Sequence, residues 1–269
     1  MDDKLKKILS NLGVNMNKLP NSPQNIKSEE LKKINDLLNS LTNNNICKEP
    51  NTYQNTKIKK RVLLLAVSCK KGGLCPGGID MDKPNEWIRI VKDDGEAGAV
   101  QGYEIDFAKP LDIIEFEGKP MPQGKQKENW VILNNSCKKV GSKDKTILDS
   151  VYQQYAYHGF WGNYKSYLNE REFIGVDAPS ESIMKVSNIR VYKNHMEKAK
   201  IDFDWSEAIY RIKFVSMTDQ DFYDKIKEGD ITFDNAYIVI SIPKEIDDWI
   251  QPDSDEKRAY KFVSKIFPI

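Results

Sequence analysis

Histidine is almost missing from this chain, with 2 in 269 residues. A Ser–His–Asp or Cys–His nucleophile would have to use His158 or His195, and neither lies near a Gly-x-Ser-x-Gly turn. Cysteine is sparse too. Its 4 residues are irregularly spaced, so no disulfide framework is expected. Cys69 and Cys75 can supply two thiolates, but Cys137 stands alone and the histidines form no ligand pair, so no metal and no cofactor is expected. No apolar run approaches the roughly 18 residues that cross a bilayer. The opening MDDKLKKILSNLG has no long apolar stretch before a small-residue cleavage site. These absences lead us to expect a soluble cytoplasmic protein with no membrane partner. Excess charge is lacking as well: 41 basic residues face 40 acidic ones, which gives no global pull toward a polyanion.

What is present divides into textures. Residues 1–56 are rich in Asn, Lys, Ser and Gln, and within them Leu31, Ile34, Leu37, Leu38 and Leu41 fall at helical spacing. A helical N-terminal extension and linker is expected there, suited to docking a protein partner. From Lys57 the chain turns to short strand-like runs. KRVLLLAVS reads as a buried strand, KKGGLCPGG as a loop, EWIRIV as a half-buried strand, PLDIIEFEG and NWVIL as two more. Tyr157, Phe160, Trp161, Tyr164 and Leu168 then form a helical stripe that is better read as core than as a ligand site. Strands resume with MKVSNIRVYK, AIYRIKFVSMTD, NAYIVISIP and YKFVSKIF. The fold expected is mostly β: two small barrels at 57–145 and 181–269, joined by a helical connector at 146–180.

Charge is unevenly spread. Residues 57–79 carry six basic side chains and no acidic one, whereas residues 201–256 carry five basic against fifteen acidic. A small barrel can bind an oligonucleotide by tracking phosphates with cations and stacking bases on aromatic rings. Lys70, Lys71 and Arg89 are the expected phosphate contacts, with Gly73 in the same loop. Trp87 shares a strand face with Arg89 and is the expected stacking ring. Trp130, with Lys125 and Lys127 nearby, extends the surface. Against this stand a core role for Trp87 and a local pairing of Arg89 with Asp112 or Glu115. A second alternative is a Mg²⁺-dependent nuclease built on Asp112, Glu117 and Lys119, since an acid followed by acid-x-Lys on a strand can hold the metal and steady charge.

Taken in order, LLLAVSCKKGGLCPGGID, EWIRIV, PLDIIEF, QKENW, SMTDQDFY, AYIVISI and AYKFVSKIF resemble the dual OB-containing domain of bacterial conflict and defence systems, over residues 58–268. The match falls on Ser68, Cys69, Lys70, Gly73, Cys75 and Gly78, on Trp87 and Arg89, and on Asp112, Glu115, Glu128, Asn129 and Trp130. Ile90-Val91-Lys92 departs from the pattern, which usually continues with Pro and a small polar residue. The resemblance implies two OB-like barrels without a catalytic centre, recognising nucleic acid or a nucleotide beside a partner effector, or serving as an adaptor in a defence complex.

Overall fold

The computed structural model describes residues 57–269, apart from 71–72, 94–97, 134–135, 158–159, 206, 208–209 and 247–255, and apart from the side chains of Lys70 and Tyr103. The expected N-terminal helices therefore lie outside the described residues, as do Lys71, the Lys70 side chain and His158.

The first part of the described chain is a ring of strands. β1 (Ile58–Lys70), β2 (Gly73–Asp80) and β3 (Trp87–Val91) form an antiparallel run. A one-turn helix, α1 (Gly102–Ile105), precedes β4 (Asp112–Pro120) and β5 (Asn129–Ile132). β5 runs parallel to β3 and antiparallel to β4, and β4 returns to pair with β1, so five strands close on one another in the order β1-β2-β3-β5-β4. β6 (Lys138–Ser142) adds to the free stretch of β4.

A connector follows. α2 (Ile147–Tyr155) buries Leu148, Val151 and Tyr152 on one face, and the Asp144 side chain accepts from Thr146 N just before it. β7 (Tyr167–Asn169) and α3 (Glu170–Gly175) complete it, with Asn169 and Glu172 forming a reciprocal cap. The helix predicted over Tyr157–Leu168 does not form. Phe160, Trp161 and Gly162 all take left-handed backbone angles, which no L-residue helix accommodates. Tertiary contacts win there: Trp161 Nε1 donates to Pro179 O at 2.9 Å, and the Lys261 ammonium sits 3.7 Å from the Phe160 ring centre. Phe160, Trp161 and Leu168 are core residues, as the stripe suggested, but Tyr164 is exposed.

The second barrel repeats the topology of the first. β8 (Glu181–Lys193), β9 (Ala199–Trp205), β10 (Arg211–Met217), a short α4 (Gln220–Tyr223), β11 (Ile231–Ser241), β12 (Arg258–Tyr260) and β13 (Phe262–Pro268) follow in sequence. Five of these strands close in the order β8-β9-β10-β13-β11, again with one parallel pair, β10 with β13. β12 leaves the barrel and pairs with β7, stitching the connector to this half.

Period-2 alternation explains why the apolar runs are continuous. On β1, Val62 and Leu64 point into the first ring, while Leu63 and Leu65 point out. On β11, Ile238 and Ile240 face the second barrel's interior, while Tyr237 and Val239 face out. The outward residues meet one another and α2, making a third apolar cluster along the seam between the rings. EWIRIV, expected to be half-buried, is buried at all five strand positions for this reason: Ile88 and Ile90 fill the ring and Trp87 fills the seam.

Candidate functional site

The glycine-rich segment is the first surprise, because it is strand β2 and not a loop. Its glycines answer close packing. A Cβ on Gly78 would overlap the Leu63 carbonyl oxygen, and one on Gly77 would overlap the Glu181 carboxylate. Gly77 is in register with Arg89, and Arg89 with Asn129, so the three share one face of the first ring. Glu181, the first residue of β8, lies over that row.

The row is a polar island in the seam. Arg89 is 8% exposed and its guanidinium meets Glu181 Oε1 at 3.0 Å. It also approaches Ser180 Oγ at 3.4 Å, and Ser180 N donates to Glu128 Oε1 at 3.1 Å. Burial pushes the Glu181 carboxyl up to about 7; the Arg89 guanidinium opposes the rise and the Glu128 carboxylate adds to it. Arg89 Nε, Glu181 Oε2 and both polar atoms of the Asn129 amide are buried without a hydrogen-bond partner.

Expectations for the outer wall of the first ring are corrected here. Trp87 is packed among Leu63, Leu65, Leu148 and Tyr152, and its Nε1 donates to Tyr155 O at 3.2 Å, leaving no ring face for a base. Arg89 is neutralised, and by neither local acid. Asp112 instead takes Lys139 at 2.6 Å and the Lys109 N–H, and Glu115 takes Lys138 at 3.0 Å and Lys59 at 3.5 Å. The Lys138 and Lys59 ammoniums hold the Glu115 carboxyl below its usual range. Lys125 Nζ donates to the carbonyls of Ile174 and Val176, and Lys127 pairs with Asp177 at 2.9 Å, so both lysines turn to the connector. Trp130 is half-buried with the Lys60 ammonium 4.4 Å from its ring centre.

The nuclease alternative fails on strand geometry. Asp112 and Glu117 are five residues apart on β4, which places them about 16 Å from each other on opposite faces. The burial alternation agrees: Asp112 points in, Glu117 and Lys119 point out, and Lys119 pairs with Asp93 at 3.5 Å. Among the described residues, no group of three His, Cys, Asp or Glu side chains is placed to hold a metal ion. Burial pushes the Cys137 thiol up to about 11.

Two cavities gather the residues that the sequence singled out. One, of about 390 Å³, brings Trp87, Lys127 and Trp130 together, but three carboxylates (Glu86, Glu128, Asp177) outnumber its one lysine. The other, of about 480 Å³, lies between the rings. From the first ring it is lined by Ser68, Cys69, Cys75, Arg89 and Gln126, and from the second half by Ser241, Ile242, Lys244, Glu245, Arg258 and Phe262, among others. Its charged lining is Arg89, already met by Glu181, with Lys244, Glu245 and Arg258. Its frame is fixed by backbone contacts across the seam: Lys125 N donates to Lys244 O at 3.0 Å, and Gly124, at a φ of 53°, presses on the same carbonyl with no room for a Cβ.

The motif segments and the paired rings meet in this seam, and a model of the dual OB-containing domain matches residues 60–266. The chain belongs to the dual OB-containing domain family. Two solved structures are distantly similar to this family member. One is the crystal structure of the tetrameric p202 HIN2, at 10% identity over 80% of this chain and 96% of that one, with a TM-score of 0.27. The other is described as the molecular basis for abrogation of activation of pro-inflammatory cytokines, at 8% identity over 83% and 100%, with a TM-score of 0.31. Likeness at this level carries no argument about ligand or assembly. No curated protein matches the sequence. Among the described residues of this dual-OB chain, no helix is long and apolar enough to cross a membrane.

Most of the second-half lining escaped sequence reasoning. Ser241, Arg258 and Phe262 sit on strands of ordinary texture, and Lys244 in the bend after β11. The sole signal was the order of the family-like segments, which joins both halves in one domain.

Proposed function

We propose that this chain is a non-enzymatic module that recognises nucleic acid or a nucleotide, and that it does so in the seam between its rings. The observation that carries this reading is the cavity where Ser68, Cys69, Cys75 and Arg89, residues of the family-like motif, meet side chains of the second half. Small barrels bind oligonucleotides with cationic and aromatic side chains, and they reuse loops at strand ends to do so. Lys70 and Lys71 belong to the same proposal as phosphate contacts. The test is a titration of labelled single-stranded DNA, duplex DNA, RNA and mononucleotides at low salt, repeated as salt rises. Affinity for a polymer should fall steeply with salt, and changing Lys70 and Lys71 to Ala should reduce the slope by up to about two. Failure of every probe to bind at low salt overturns the reading.

The proposal divides the chain into a first unit at 57–145, a connector at 146–180 and a second unit at 181–269. It also includes a protein partner held by residues 1–56, in a cytoplasmic, antiphage setting. Co-purification of that partner should be lost on deletion of residues 1–50; co-purification unchanged by the deletion removes the arm from the proposal.

A further inference from the structure

β13 begins at the cavity described above, which Phe262 lines, and ends at a second opening between the rings. This is a half-open groove of about 680 Å³. Lys109 and Leu111 line it from the first ring, Lys145 from the turn before α2, and Asp221, Phe222 and Lys225 from the second barrel, with Lys265 of β13.

Charge in this groove does not cancel. Lys265 is buried and meets Asp219 at 3.1 Å and also Asp221, so those three groups sum to one negative charge. Against it stand Lys109, Lys145 and Lys225, all exposed. Lys145 reaches only the Pro268 carbonyl, at 3.4 Å, and Lys225 lies 5.0 Å from the Phe222 ring centre. Among the described residues, none of the three is ion-paired. By contrast, Lys127, Lys138, Lys139, Lys193 and Lys227 each sit against a carboxylate. The hydrogen bond from Lys265, and then the Lys225 and Lys109 ammoniums, hold the Asp221 carboxyl below its usual range. Lysines of both rings therefore converge on one place.

Like charges gathered in a concavity repel one another, and its low-dielectric walls focus their field on an incoming anion. Nothing in the groove is suited to read a base. Phe222 and Phe267 are 6% and 4% exposed, so neither offers a ring to stack on. None of the buried polar atoms left without a partner lies in the lining. A single phosphate would leave most of the lysines unmet, whereas a chain with a phosphate at every residue meets them in turn.

We propose that this groove carries the sugar–phosphate backbone of a nucleic-acid strand, with Lys109, Lys145 and Lys225 as sequence-neutral phosphate contacts. This rests on the nucleic-acid reading above and commits it to a polymer that touches both rings.

The test is fluorescence anisotropy on the full chain with labelled oligothymidylate, oligouridylate and polyglutamate over a range of salt. Two triple variants are compared. One changes Lys109, Lys145 and Lys225 to Ala; the other changes Lys59, Lys165 and Lys213, which are exposed but line no part of the groove. The groove variant should bind at least one oligonucleotide about tenfold more weakly at low salt and lower its salt slope by about two, at roughly 0.7 per phosphate contact on a single strand. The other variant, with the same loss of charge, should keep the wild-type slope. Oligonucleotide binding with an unchanged slope in the groove variant overturns the inference and leaves the broader function standing. An equal fall in both variants overturns it too, because the attraction then comes from total charge. So does polyglutamate binding as tightly as the oligonucleotides, since the groove then answers to any polyanion. Silence from every oligonucleotide at low salt sinks both the inference and the reading beneath it.

Discussion

The first ring and the second barrel share their strand order and their parallel closure, β3 with β5 in one and β10 with β13 in the other, yet they are held together differently. β2 of the first ring carries Gly73, Gly77 and Gly78 and packs by close backbone approach, against Leu63 and beneath Glu181. β9, in the same place in the second barrel, has no glycine and packs by side chains, with Ile201, Phe203 and Trp205 in the barrel core. The outer faces differ too. In the first ring Trp87 and Leu63 are covered by α2 and the seam, while the second barrel leaves Tyr210 and Phe214 exposed at 55% and 60%. One topology is thus stabilised by two residue strategies, and the first ring depends on its neighbour for part of its burial.

The largest test of that contrast is a valine on each second strand. Gly78→Val forces a Cβ into the Leu63 carbonyl, and we expect it to cost about 4 kcal/mol or to abolish folding. Lys200→Val, half-buried on β9, should stay within about 1 kcal/mol. Urea denaturation of the two variants measures this, and equal costs would erase the distinction between backbone-packed and side-chain-packed rings.

The next effect concerns the polar island. Glu181→Ala leaves the buried Arg89 guanidinium without its carboxyl partner, at an expected cost of about 3 kcal/mol. Replacing both, Arg89→Met with Glu181→Leu, should recover most of that loss in the same denaturation series. A double variant as unstable as the single one would show that the pair holds the rings by something other than charge compensation.

Much of this architecture can be read in the sequence, for a physical reason. Strands with two buried faces are continuous apolar runs, and LLLAV and YIVIS announce themselves that way. What misled was the role of single residues whose partners are remote in sequence. Trp87 and Arg89 share a strand face, as alternation requires, but α2 and Glu181 come from 60 and more residues away to cover them. The glycines of β2 looked like turn residues because local sequence does not distinguish freedom of backbone angle from closeness of packing. β9 was missed because Asp202 and Asp204 interrupt its apolar pattern; Asp202 in fact accepts from Tyr192 Oη at 3.0 Å and Phe214 N at 2.8 Å.

A comparable effect follows from the Glu181 carboxyl, which burial pushes up to about 7 in the fold against an ordinary value of 4.5. The folded chain holds this proton more tightly than the unfolded chain does. Its contribution to stability is therefore complete below about 4.5 and is lost as pH rises through about 7. The loss is on the order of 3 kcal/mol for the wild type relative to Glu181→Gln, which has no proton to lose. Unfolding free energies at several pH values between 4.5 and 8 measure the difference between the two proteins. A constant difference across that range would mean that Arg89 keeps the carboxylate charged throughout.

The smallest effect separates covered from uncovered aromatics within one stretch of connector. Tyr164 stacks on Tyr210 with ring centres 4.4 Å apart and planes 18° from parallel, but it is 45% exposed. Trp161, three residues earlier, is 2% exposed and anchored through its Nε1 to Pro179 O. Tyr164→Ala removes one stacked contact and should cost about 1 kcal/mol, whereas Trp161→Ala opens the barrel core and should cost about 4 kcal/mol. Melting temperatures of the two variants order them. If the tyrosine proves as costly as the tryptophan, the exposed Tyr164–Tyr210 stack carries part of the second barrel's stability, and the side-chain strategy of that barrel extends to its solvent face.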